Sequence, residues 1–232
     1  ASKAALCFSV EDNICALWKS FSGIDFILLP NSSSYFPSPL STSKRFESQL
    51  PSFVHHGVAH PSRRIELMVQ AFACTNSHTS SDFYLTGSNY PYLSELSSLA
   101  HSIPYCTIRR PVPHQELHAT LSNYMYSLIS IFPSNLNYQY CLPNKLYQCI
   151  QARLPIVCGP TPSIADIVQR FGIGVVATDF SPQSLGQAID LLLALPYEGL
   201  LVKLDHAAKS LCWDHDQNIL ISSVNESISS LT

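Results

Sequence analysis

Residues 142–160 read LPNKLYQCIQARLPIVCGP, and the fold turns on this stretch. Leu142, Pro143, Asn144 and Lys145 open a helix. Proline costs nothing there, because the first helical N–H groups have no intrahelical acceptor. Asn144 is expected to cap the helix, and Lys145 falls in its first turn. A cation there opposes the helix dipole unless an anion sits beside it. The helix runs through Ala152. Ile156, Val157 and Cys158 then form a short apolar strand between Pro155 and Gly159. Loop, helix start, helix and strand gather free N–H groups and a lysine at one end. That is the end where α/β proteins hold anions.

Working outward, the alternation continues on both sides. Towards the C terminus, 163–171 predicts a helix with Ile164, Ile167, Val168 and Phe171 on one stripe. Residues 174–176 predict a strand. Ser181 and Pro182 start a helix with Leu185, Ala188, Ile189 and Leu192 in register. Two helices broken near Trp213, Asp214 and His215 follow. Towards the N terminus, 126–132 is an apolar strand and 113–121 is helical. Strands at 105–108, 82–86 and 53–56 alternate with a helix over 92–101 and one capped by Ser62, whose face carries Ile65, Met68, Val69 and Phe72. Such repetition predicts an α/β fold with a doubly wound, Rossmann-like parallel sheet. Ligands in such sheets bind at the carboxyl ends of the strands, where Gly57, Gly87 and Asn144 fall.

A shorter unit precedes this. A strand over 4–9, a helix with Ile14, Leu17, Trp18 and Phe21 on one face, Gly23, and a strand over 25–29 make one βαβ unit. One such unit cannot bury both faces of its own sheet. It is therefore expected to be the remnant of a second, larger domain. Residues 31–50 hold seven serines with Pro37 and Pro39 and no periodicity, and read as a linker. The division expected is 1–30 for the closing βαβ of a truncated N-terminal domain, 31–50 for the linker, 51–212 for a C-terminal nucleotide-sugar-binding domain, and 213–232 for a helix crossing back.

Composition narrows the function. Apolar residues make up 46% and charged residues 12% of the 232, enough for a large core and too apolar for disorder. A net charge of −3 argues against nucleic acid or a membrane surface held by bulk charge. No apolar run reaches the length of a membrane span. The eight cysteines are scattered and sit mostly in apolar runs, so buried thiols in a reducing cytoplasm are expected rather than disulfides.

Two cations stand at helix starts. Arg63, in GVAHPSRRIE after Gly57, is placed to meet a phosphate, whereas Arg64 reads as a solvated residue. Lys145 is the second. Two such cations on the carboxyl edge of one sheet suggest a diphosphate. His114 and His118 are four apart on a helix but lack a third metal ligand, so no metal is expected. His55, His56 and His60 read as strand-end and loop residues. Gly-x-x-x-x-Gly-Lys, Gly-x-Gly-x-x-Gly and Gly-x-Ser-x-Gly are absent, which removes nucleoside triphosphatase, dinucleotide and serine-hydrolase motifs.

These residues carry a resemblance. PNKLYQCIQARLPIV resembles the Pro-Asn-Lys-apolar-aromatic-Glu motif of bacterial glycosyltransferases of the family-four type with the GT-B fold. GVAHPSRRIELMVQAF, DFYLTGSN, PVPHQELHATL and IADIVQRFGIGVV resemble further segments of that family in the same order, and the Trp213 region resembles its tail. The resemblance covers about residue 53 to the C terminus. It implies two Rossmann-like domains with the active site between them, of which this chain holds the donor half. It implies donor-binding roles for Gly57, Arg63, Gly87, Asn144, Lys145 and Gln148, a UDP- or GDP-sugar donor, a glycan or lipid-linked acceptor, no cofactor, and peripheral membrane contact through the missing domain. Three positions depart from the pattern: Gln148 replaces the ribose-binding Glu, Arg153 replaces a Gly, and Tyr140 replaces the acidic residue eight before Gln148. The expected function is donor binding for a retaining glycosyltransferase, with no transfer by this fragment alone. The alternatives are a sugar-nucleotide epimerase of the same fold and a non-catalytic interaction module.

Overall fold

A computed structural model of the chain describes residues 6–37, 49–87 and 89–229. The larger sheet holds β3 (Ser52–Val58), β4 (Ser80–Thr86), β5 (Cys106–Arg109), β6 (Tyr126–Ile129), β7 (Ile156–Cys158) and β8 (Gly174–Val176). All six strands run parallel in the order β5-β4-β3-β6-β7-β8. The chain thus lays strands outward from β3 to one side, then returns to β6 and works outward to the other. The crevice at the carboxyl ends of β3 and β6 is the switch point, where ligands of such sheets sit.

Consecutive strand residues point to opposite faces, and here both faces are covered. Phe53, Leu128 and Val157 enter one layer with α2 (Ile65–Cys74), α3 (Tyr90–His101) and α8 (Pro182–Leu193). Val54, Ile129, Ile156 and Cys158 enter the other with α6 (Asn144–Gln151), α7 (Pro162–Phe171) and α9 (Tyr197–Ser210). Two-sided burial is why β7, Ile156–Cys158, reads as an unbroken apolar run. The stripes predicted for α2 and α8 are buried.

Several local expectations need correction. Pro143 is the N-cap of α6, with no side-chain capping bond, and Asn144 is its first helical residue. Ser62 lies in a 3-10 turn, Pro61–Arg63, that His60 caps. The cap of α2 is Arg64 in the left-handed region at φ 51, again without a side-chain bond. Tyr92 Oη instead accepts the Ile65 N–H at 2.9 Å. Tyr105 has φ 58, so β5 starts one residue late. The apolar run at 126–132 leaves the ladder after Ile129. A short helix, α5 (Leu136–Gln139), was not anticipated; it lacks an apolar stripe.

The N-terminal unit has β1 (Phe8–Ser9), α1 (Asp12–Ser22) and β2 (Ile27–Leu28), with the strands parallel. Residues 4 and 5 of the expected first strand lie outside the described residues. Glu11 caps α1 by accepting the Ile14 N–H at 2.9 Å, and Gly23 ends it at φ 71. Ile14 and Leu17 are half-buried, but Trp18 and Phe21 are exposed. No residue of α1 is fully buried, so its apolar face is only partly covered among the described residues. Of the segment read as a linker, 31–37 is described and has no regular secondary structure. It is nonetheless pinned. Ser32 donates to Asp216 at 2.6 Å, and the Trp213 N–H donates to Ser33 O at 2.9 Å. This ties the start of α10 (Trp213–Ser229) to the segment that follows the small unit.

Candidate functional site

β3 ends at Gly57 and Val58, beside β6 at the switch point. Gly57 has φ 143, and a Cβ there would lie 2.6 Å from Lys145 Nζ. The lysine amine occupies the place a side chain would need. Lys145 is the second residue of α6 and is only 8% exposed. Neither Lys145 nor Arg63 pairs with a carboxylate among the described residues. Burial, then the nearby charge of Arg63, lowers the Lys145 ammonium from 10.5 to about 8. Arg63 ends the 3-10 turn, and its guanidinium lies 5.1 Å over the Tyr138 ring. Two cations therefore lie at the start of a helix with no carboxylate paired to either among the described residues.

Two buried histidines of β3, His55 and His56, directly precede Gly57. His55 donates from Nδ1 to Leu128 O at 2.8 Å. Burial and the Lys145 charge hold His55 well below its usual range and His56 at about 3. Both stay neutral at physiological pH. His60 accepts the Ser62 N–H at 3.2 Å as the turn's cap.

On the other side of the α6 start lies a cavity of about 480 Å³. One wall is α6 itself: Asn144, Gln148 and Gln151 stand at helical spacing and all line it. The second wall is α4 (His114–Leu121), through His114 and His118. The third is the irregular segment from Asn31 to Phe36. Asn31 Nδ2 donates to Asn144 Oδ1 at 2.8 Å, so Asn144 binds the segment rather than capping its helix. The lining consists of amides, serine hydroxyls, imidazoles and apolar groups, without a carboxylate. Such a lining suits a polyhydroxylated or heterocyclic ligand held by neutral hydrogen bonds.

The six residues singled out from sequence fall into three places. Gly57, Arg63 and Lys145 gather at the end of β3. Asn144 and Gln148 face the adjoining cavity. Gly87 stands apart at the end of β4, where a Cβ would lie 2.8 Å from Ala59 O; its smallness serves a backbone contact. Sequence reasoning missed Asn31, Phe36 and Gln151. Gln151 was legible, since amides at 144, 148 and 151 share a helix face. Asn31 and Phe36 sit in a serine-rich stretch without periodicity and left no signal. Among the described residues no group of three or more His, Cys, Asp or Glu side chains could hold a metal ion.

Two cations at the switch point of a doubly wound parallel sheet, beside a cavity lined by neutral groups, define this α/β domain. No protein-family description matches the sequence, and no curated protein matches it. Solved structures do. HepE from Anabaena, in complex with UDP and glucose, aligns at a TM-score of 0.77 and 12% identity over 98% of this chain and 64% of its own. The pneumococcal O-GlcNAc transferase GtfA, in complex with UDP and GlcNAc, aligns at 0.67 and 15% over 94% and 44%. The N-terminal domain of the trehalose-6-phosphate phosphatase of Candida albicans aligns at 0.66 and 11% over 88% and 50%. The chain thus has the fold of GT-B glycosyltransferases, and it spans less than two thirds of the length of each of these structures.

Proposed function

We propose that the chain is the donor-binding half of a glycosyltransferase that takes a nucleoside diphosphate sugar. One observation carries this: Lys145 is a buried, desolvated cation beside Arg63 with no anionic partner among the described residues. A buried charge is tolerated when a ligand completes it. The diphosphate would lie between Lys145, Arg63 and the start of α6. The nucleoside would enter the amide-lined cavity, with Gln148 towards the ribose. In the transfer step the two cations would stabilise charge growing on the departing diphosphate. The sugars and UDP named for HepE and GtfA support UDP as the first nucleotide to try, with GDP second. Retention of configuration, a glycan or lipid-linked acceptor, a cytoplasmic location and peripheral membrane contact belong to the same proposal and rest on the polypeptide that would complete the enzyme. Calorimetry with UDP-sugars tests the binding. Micromolar to millimolar affinity is expected, and no heat at millimolar donor with the fold intact overturns it.

A second reading, a non-catalytic module of the same fold, is favoured by the carboxylate-free lining at Gln148. Attaching the chain to its natural flanking sequence and assaying sugar transfer separates the two. Turnover above that of a Lys145→Met variant supports the enzyme, and donor binding without turnover supports the module.

A further inference from the structure

Arg153 is the largest fully buried side chain described, 1% exposed, and it has a left-handed backbone at φ 56. Its contacts explain why an arginine occupies a conformation that favours glycine. Nε donates to Asp205 at 2.6 Å, Nη1 to Gln151 O at 2.6 Å and Nη2 to Phe36 O at 3.0 Å. The guanidinium also lies 5.8 Å over the Tyr35 ring. Gln151, two residues earlier, takes the other backbone group of Phe36 in the strap formed by residues 31–36: its Oε1 accepts the Phe36 N–H at 3.1 Å. The Gln151 amide is itself fixed, donating to Ala208 O at 2.8 Å. The Phe36 ring stacks on His118 at 3.8 Å. One residue of the segment is thus gripped at its N–H, its carbonyl and its ring.

We infer that Arg153 is a positioning residue: it locks residues 31–36 as the fixed wall of the ligand cavity. A guanidinium suits this work because its planar fork spreads its donors over three nitrogens and so reaches acceptors that lie well apart, whereas an ammonium donates from a single nitrogen. The grip acts on ligand binding through the walls it holds: the strap and, by the bond to Gln151 O, the end of α6. Arg153 does not line the cavity, while Asn31, Ser32, Ser33, Ser34 and Phe36 do. Held in place, the wall is preorganised, and a ligand need not order it on arrival. Released, it leaves only a fraction of molecules competent, and apparent affinity drops by that fraction.

The inference rests on the donor reading of the cavity, so its test has two arms. Hydrogen exchange without ligand reads the grip. Arg153→Gly, which suits the left-handed backbone, should speed exchange at the Phe36 amide by about tenfold or more, with Arg153→Lys in between. Unchanged exchange in Arg153→Gly overturns the grip. Calorimetry with UDP reads the consequence. Arg153→Gly should bind about tenfold more weakly, and loosened exchange with unchanged UDP affinity overturns the positioning role. Should wild type bind no UDP, the donor reading fails while exchange still decides the grip. Should Arg153→Gly not fold, Asp205→Asn, at the solvent side of the same guanidinium, takes its place with the same expected directions.

Discussion

Replacing Lys145 with methionine is expected to make the unliganded protein more stable and unable to hold a diphosphate. Burial beside Arg63 moves the Lys145 ammonium from its ordinary 10.5 to about 8. At 1.36 kcal/mol for each pH unit, that is about 3 kcal/mol of lost preference for the charged form. The sign follows from which state binds the proton. Below pH 8 both folded and unfolded chains carry it, so the folded state bears the whole penalty. Between about 8 and 10.5 the folded chain releases the proton first, and stability rises with pH. Above 10.5 the penalty is gone. Methionine has nearly the length of the lysine stem and no charge, so Lys145→Met should gain roughly 2–3 kcal/mol at pH 7. That gain should shrink as pH approaches 10.

Urea denaturation of both proteins across pH 7 to 10 measures this. Melting temperature gives a second readout, at about 2–4 °C for each kcal/mol in a chain of this length. UDP titration closes the loop. In wild type the bound anion favours the charged amine, so affinity should be level below pH 8 and decline above it by about tenfold per pH unit. In Lys145→Met the titration should show no such pH dependence and little binding. Equal stability of the two proteins at pH 7, or a wild-type affinity that does not change from pH 7 to 10, refutes the idea that Lys145 is a desolvated cation awaiting an anion.

Arg63→Ala should weaken UDP binding and, because the Arg63 charge helps lower Lys145, move the pH midpoint of affinity upward; a midpoint that stays put separates the two cations. Gly87→Ala sets a Cβ 2.8 Å from Ala59 O at a residue whose φ is 153, so it should cost about 1–3 kcal/mol in urea unfolding with no change in the pH profile of UDP binding. Gln148→Glu supplies the carboxylate that the cavity lacks. It should strengthen UDP by about 1 kcal/mol and 2′-deoxy-UDP by less, and equal gains for both nucleotides would place Gln148 away from the ribose.

Pattern carried the sheet, and pattern could not carry the site. Ile156–Cys158 and Gly174–Val176 appear as read: burial on both faces leaves Ile156–Cys158 an unbroken apolar run, and Gly174–Val176 is the half-buried edge strand beside it. The cation cluster was half legible. A cation at a helix start is visible in one dimension, but its burial depends on which strand lies opposite, and strand order is a long-range property. Lys145 reads alike whether it faces water or the end of β3; the neighbour that decides is Gly57, almost ninety residues earlier in the chain. The cap error at Asn144 has the same origin, since the side chain that suits a cap is drawn off by Asn31. Arg153 is the sharpest case. By propensity it is an arginine at a glycine's position; by structure its three nitrogens reach α9, the end of α6 and Phe36. Local rules fail where one residue serves distant parts of the chain, and those are the residues that shape the cavity. A departure from local preference that the structure fully satisfies with hydrogen bonds marks a constraint imposed from elsewhere, and at Arg153 that constraint is the strap across the ligand site.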